Sequence, residues 1–213
     1  ARPAAPARPV ALGPPARGVR AIGLGCSTGG PQALATFVQA LARPLPVPLL
    51  VVQHMPAGFT TMLADHLDRL GRLPCAEARD GETLQPGRLY LAPGNRHLLA
   101  GAEGRGLVAR LNDGPPENFC RPAVDPMLRS LADACGGAVL AVILTGMGHD
   151  GLAGCRQVAA AGGTVLAQDE ASSVVWGMPG AVAKAGLARA LLPPAALAEQ
   201  VLALAGGRVG AMA

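Results

Sequence analysis

Val19-Arg20-Ala21-Ile22-Gly23-Leu24-Gly25-Cys26-Ser27-Thr28-Gly29-Gly30-Pro31 is the stretch on which the fold turns. Its first half is an apolar run of strand length. Gly25, Gly29 and Gly30 then allow backbone conformations and close approaches that a side chain would block. Pro31 suits the first turn of a helix, where its missing N–H costs nothing. The order strand, glycine turn, helix puts Ser27 at the carboxyl end of a strand, where ligands bind in open α/β sheets. A serine held there serves as a nucleophile, a phosphate ligand or a helix cap, and these thirteen residues leave all three open.

On the carboxyl side of that stretch, helix-like and strand-like segments alternate. Residues 32–41 have helical character, 48–53 form a second buried strand, and 58–70 place Phe59, Met62, Leu63, Leu67 and Leu70 at helical spacing. A β-rich middle follows, with short strands expected at 75–78, 88–92, 97–100 and 107–111, punctuated by Asp80-Gly81, Pro93-Gly94 and Gly104. Helix returns at 122–135, and 138–144 (Ala-Val-Leu-Ala-Val-Ile-Leu) is the strongest buried strand. A helix at 151–161, a strand at 163–167 and closing helices at 178–185 and 195–205 complete the pattern. The expected fold class is therefore α/β. It is a doubly wound, mainly parallel sheet with helices on both faces, extended by an antiparallel β section in the middle.

Composition narrows the function. The chain of 213 residues is 50% hydrophobic but only 2% aromatic, so the core must be built from Ala, Val, Leu and Ile. The formal charge is +4, yet Arg2, Arg8, Arg17 and Arg20 lie in an acid-free beginning and leave the remainder near neutral. Without a basic patch or stacking aromatics on the folded part, nucleic-acid binding is not expected. No apolar run reaches membrane-spanning length, and the start has no signal-peptide core. Residues 1–18, rich in Pro, Ala and Arg, read as a linker or disordered tail, leaving 19–213 as one domain. That beginning, which lacks an initiator Met, suggests a piece of a longer protein. Cys26, Cys75, Cys120, Cys135 and Cys155 are dispersed and odd in number, with no C-x-x-C pair. That pattern disfavours a disulfide framework and a zinc site, and free thiols fit a reducing cytoplasm.

Three strand ends break off into polar or glycine-rich residues: Gly25–Gly30, Val51-Val52-Gln53-His54-Met55-Pro56, and Leu144-Thr145-Gly146-Met147-Gly148-His149-Asp150-Gly151. If the strands are parallel, Ser27, His54 and Asp150 converge on one edge as nucleophile, base and carboxylate. The turn after residue 144 can offer an oxyanion donor, with the Met147 N–H as the candidate. Gly25-x-Ser27-x-Gly29 alone is a weak signal, and the order Ser, His, Asp departs from that of α/β-hydrolases. The main rival is dinucleotide binding at a loose G-x-G loop. It wants an acid after the second strand, where Gln53-His54 stands instead. No Gly-Lys-Ser or Gly-Lys-Thr exists, and the histidines lack metal-ligand spacing, so neither a nucleotide cofactor nor a metal is expected. His66 reads as a surface helix residue and His97 as a loop or strand residue.

The same motifs resemble the chemotaxis methylesterase family, CheB. The resemblance rests on residues 25–30, 53–60 and 144–151. It is reinforced by Ala92-Pro-Gly-Asn-Arg-His97, Asp113-Gly-Pro-Pro116, Arg121-Pro-Ala-Val-Asp125 and Gly177-Met-Pro179, and runs from about Val19 to Leu192. It implies a serine hydrolase that demethylates glutamate methyl esters on bacterial chemoreceptors, with deamidation of receptor glutamines in some members. Ser27, His54 and Asp150 then correspond to the triad and Met147 to the oxyanion residue, with Thr28 and His149 as candidate site-lining residues. Many members of the family carry an N-terminal receiver domain that gates the site; this chain lacks one, and its Pro- and Arg-rich beginning resembles the tail of the linker that would follow it. Cys26 and His149 depart from the family's usual alanine and asparagine. A same-chemistry esterase with another signalling target, and a non-catalytic receptor-docking module, are the alternatives.

Overall fold

The computed structural model describes residues 18–206, so nearly all of the expected linker at 1–18 lies outside the described residues. The first strand, β1 (Ala21–Cys26), is buried along its whole length and leads into α1 (Gly30–Gln39). There follow β2 (Leu49–Gln53), α2 (Phe59–Arg69), β3 (Cys75–Glu77), β4 (Leu89–Leu91), β5 (His97–Glu103) and β6 (Gly106–Asn112). The second half contains α3 (Val124–Cys135), β7 (Val139–Ile143), α4 (Leu152–Ala160), β8 (Thr164–Gln168), α5 (Met178–Lys184), β9 (Ala190–Leu192) and α6 (Pro194–Gly206).

Seven strands form one sheet in the order β3-β4-β2-β1-β7-β8-β9, and every pairing is parallel. The chain winds outward from β1 through β2, then crosses back to place β7 on the other side of β1. That reversal opens a crevice at the carboxyl ends of β1 and β7. Two of the four short middle strands, β3 and β4, join the parallel sheet. Among the named strands of the described residues only the β5–β6 hairpin is antiparallel, forming its own two-stranded sheet. Three residues are too few for periodicity to reveal orientation, which explains why β3 and β4 read as part of the antiparallel section. β9 was not expected from sequence for the same reason.

Helices cover both faces, as alternation along β1 requires. Ile22, Leu24 and Cys26 point into a core shared with α1, α2 and α6, through Phe37, Leu67 and Val201 among others. The opposite core joins Ala21 and Ala141 to α3, α4, α5 and the hairpin. On that side β1 carries Gly23 and Gly25, and α3 lies almost on the backbone. A Cβ at Gly23 would stand 2.6 Å from Leu128 Cδ2, and one at Gly25 would stand 2.5 Å from Val124 Cγ1. These glycines therefore admit a helix rather than cradle a phosphate, which removes the physical basis of the dinucleotide reading. Burial of Leu128 and Leu131 on this surface contributes about 1.5–3 kcal/mol each.

Candidate active site

Register brings the first two residues of the site together. Cys26 pairs with Gln53 across β1 and β2, so Ser27 and His54 leave the sheet at the same level on adjacent strands. The His54 N–H donates to Cys26 O at 3.1 Å and the Ser27 N–H to Thr145 O at 3.0 Å, tying all three strand ends together. Parallel neighbours lie about 4.8 Å apart, within reach of a serine and an imidazole.

Ser27 is not a helix cap. The N-cap of α1 is Gly29, in a left-handed conformation with φ 77°, and no side chain caps that helix. Ser27 Oγ is without a hydrogen-bond partner among the described residues. Its carbonyl accepts from Gly30 N–H and from Gln53 Nε2, which fixes the turn. Cys26, one residue earlier, is fully buried, and its Sγ faces Val52 O. Burial pushes that thiol far up, so it is no rival nucleophile.

Asp150 is buried and holds His54. His54 Nε2 and Asp150 Oδ2 are 2.7 Å apart. The carboxylate also accepts from Val124 N–H at 2.6 Å, Asp125 N–H at 3.1 Å, Gly151 N–H at 2.9 Å and Asn118 Nδ2 at 2.9 Å. Val124 and Asp125 open α3, whose N-cap Ala123 has no capping side chain, so Asp150 supplies the cap from a distant loop. Burial alone would raise the Asp150 pKa. The His54 hydrogen bond, the Val124 N–H, the His54 charge and the Asp125 N–H together outweigh it and hold the carboxyl below its ordinary value. Asp125, also buried, moves the other way. Desolvation raises it, the Gly154 N–H opposes, and the charge of Asp150 adds to the rise. Asn118 donates to both carboxylates and bridges them.

The loop after β7 faces Ser27 directly. A Cβ on Gly146 would stand 2.8 Å from Ser27 Cβ. The loop is pinned by Gly146 N–H to Val175 O, by Thr145 Oγ1 to Thr28 O and by Thr145 N–H to Gln168 Oε1. Among the described residues neither the Met147 N–H nor the Thr28 N–H has an acceptor, so both remain available as donors to an oxyanion. Thr28 and Met147 are exposed. His149 is exposed as well. It lines a neighbouring cavity of about 270 Å³ with Asn118, Asp125, Leu152, Ala153 and Arg156, while Asp150 is satisfied by other groups. His66 is exposed on α2. His97 is buried in β5, where it meets Pro115 O and accepts from Ala123 N–H.

Three contributors were not anticipated: Asn118, Cys120 and the amino end of α3. Cys120 Sγ lies 3.4 Å from His54 Nδ1. The recognised motifs 113–116 and 121–125 bracket residues 117–120, so the signal ran up to both edges of this turn without marking it.

Known proteins resemble this chain over most of its length. The family model described as CheB methylesterase matches residues 22–201. A protein-glutamate methylesterase/protein-glutamine glutaminase from Paramagnetospirillum magneticum is 55% identical over 188 residues, 88% of this chain and 49% of that protein. A protein of the same name from Azospirillum brasilense is 58% identical over 173 residues, 81% of this chain and 44% of the other. The chain thus spans about half the length of these relatives. The crystal structure of the Thermotoga maritima CheB methylesterase catalytic domain superposes with a TM-score of 0.85 at 41% identity, covering 88% of this chain and all of that one.

Proposed function

This chain belongs to the CheB methylesterase family, and from that premise we propose that it hydrolyses glutamate methyl esters on chemoreceptors through a covalent ester on Ser27. The observation that carries the proposal is the 2.7 Å contact between His54 and a buried, ionised Asp150, on the strand next to Ser27 and at its level. An ionised Asp150 keeps the proton on Nε2 and leaves Nδ1 as the basic nitrogen. Ser27 Oγ attacks the glutamyl carbonyl and its proton passes to Nδ1. The developing oxyanion is met by the Met147 and Thr28 N–H groups. The tetrahedral intermediate collapses, His54 returns the proton to the departing methoxy group, and methanol leaves. Water, giving a proton to His54, then attacks the acyl carbonyl; the bond to Ser27 Oγ breaks, His54 returns that proton to Oγ, and the glutamate leaves.

The relatives' names also carry a glutaminase activity. The same steps with ammonia as leaving group extend the proposal to receptor glutamines. Free thiols on all five cysteines fit a reducing compartment, and we place the reaction in the cytoplasm. No helix among the described residues is long and apolar enough to cross a membrane. For the full-length protein we propose a receiver domain preceding the Pro- and Arg-rich segment and governing access to this edge of the sheet.

The test is methanol release from methylated receptor. The Ser27→Ala variant, folded as judged by circular dichroism, is expected to lose release by at least 10³-fold. Release near the wild-type rate would reject the assignment. A methylated protein from another signalling system, cleaved in preference to receptors, would redirect the target and leave the chemistry intact.

A further inference from the structure

We infer that Cys120 is a positioning residue of the hydrolase, whose S–H donates to His54 Nδ1 and holds that nitrogen off Ser27 in the resting enzyme. The inference rests on the triad reading above. Its observation is separate: the imidazole is engaged at both nitrogens, by Asp150 at 2.7 Å and by Cys120 at 3.4 Å, while Ser27 Oγ bonds to no described residue.

The proton inventory decides which way the sulfur contact runs. Asp150 Oδ2, 2.7 Å from Nε2, is an acceptor, so in the neutral imidazole that a general base requires the ring proton sits on Nε2 and Nδ1 presents a lone pair. Only a donor can face a lone pair favourably. The Cys120 thiol is half-buried, and desolvation, followed by the negative charge of Asp150, raises its pKa, so it keeps its proton. The titratable groups facing the ring are Asp150 from the β7 loop and Cys120 from its turn. Asp125 stands behind Asp150 across Asn118, and Arg129 belongs to the same charge cluster. The Cys26 thiol faces Val52 O instead.

The turn that presents Cys120 is fixed in an uncommon form. Asn118 and Phe119 both have positive φ, 51° and 63°, and Glu117 and Cys120 exchange both backbone hydrogen bonds. A phenylalanine rarely adopts that conformation. Asn118 locks the turn to Asp125 and Asp150, and Arg129 holds Glu117 at 2.6 Å. The Asn118 anchor leads back to the carboxylate that holds His54, so the thiol and Asp150 grip one ring from two sides. For Ser27 to give up its proton, the thiol must release Nδ1.

The experiment measures the rate of Ser27 phosphonylation by a fluorophosphonate against pH, in wild type, Cys120→Ala and Cys120→Ser. A donor on the lone pair stabilises the neutral ring, so its removal in Cys120→Ala moves the acid limb up by about half a pH unit. The plateau rises about threefold, because a weak competing hydrogen bond no longer depletes the free nitrogen. Cys120→Ser, whose hydroxyl still donates, keeps the limb close to wild type. In ¹⁵N spectra, the His54 Nδ1 resonance shifts toward that of a free acceptor in Cys120→Ala alone. A limb that stays put or moves down, a plateau that falls, a serine variant that follows alanine, or an unmoved Nδ1 resonance each overturns the inference. Those results, with labelling still dependent on Ser27 and His54, leave the hydrolase standing. Wild-type protein that does not label at Ser27 removes both.

Discussion

Asp150 ties the start of α3 to the candidate site through one side chain. It accepts from five groups, of which one is the His54 ring, two are the first N–H groups of α3, and two are Gly151 N–H and the Asn118 amide. A carboxyl held below its ordinary value stabilises the fold above the unfolded range, near 4, and that contribution disappears as pH falls through the folded value. Asp150→Asn is therefore expected to melt below wild type at pH 7, by about 1–3 kcal/mol in stability, with the gap closing as pH drops below about 4. A gap independent of pH, measured by calorimetry between pH 3 and pH 7, would mean that the charge is not what α3 uses. Loss of the negative partner should also lower methanol release by roughly 10³–10⁴-fold. The sequence showed the residue but not its partners, because Val124 and Asn118 are distant in the chain and become neighbours only after the strands pair.

At the scale of elements, α3 lying on β1 sets the position of the site. Gly25 is where the two meet, and its missing Cβ is what brings the amino end of α3 to Asp150. Gly25→Ala is expected to cost about 1–3 kcal/mol through overpacking against Val124. Val124→Ala relieves that clash, so the double variant should be at least 0.5 kcal/mol less destabilised than the sum of the singles. Strict additivity in urea unfolding would place the strain elsewhere. The long elements were readable because their apolar periods are long: β7 and the strand–turn–helix around Ser27 fall where the sequence places them. The role of Gly23 and Gly25 was not readable. A glycine that turns a loop and a glycine that seats a helix look alike until the helix is placed.

For the whole molecule, the order of the strands gathers Ser27, His54 and Asp150 on one edge, and that edge is also where large apolar side chains are left uncovered. Phe59 and Met62 follow His54 at the start of α2, Phe119 precedes Cys120, Met147 follows β7, and Val174 packs beside Gly29. Such a rim suits a protein substrate better than a small ester. The double variant Phe59→Ser with Met62→Ser is expected to raise KM for methylated receptor about tenfold while leaving the hydrolysis of a small nitrophenyl ester unchanged. Equal effects on both substrates would assign these side chains to the fold instead. The parallel sheet and the three converging strand ends could be anticipated from sequence, since each strand ends in residues that a core would reject. The turn at 117–120 could not, because nothing local distinguishes it from an ordinary loop. Whether Ser27 is a nucleophile served by His54 is read from a fluorophosphonate adduct mapped by mass spectrometry. One adduct, on Ser27, is expected in wild-type protein and none in His54→Ala. An adduct on another residue, or equal labelling of Ser27 without the imidazole, would contradict that role.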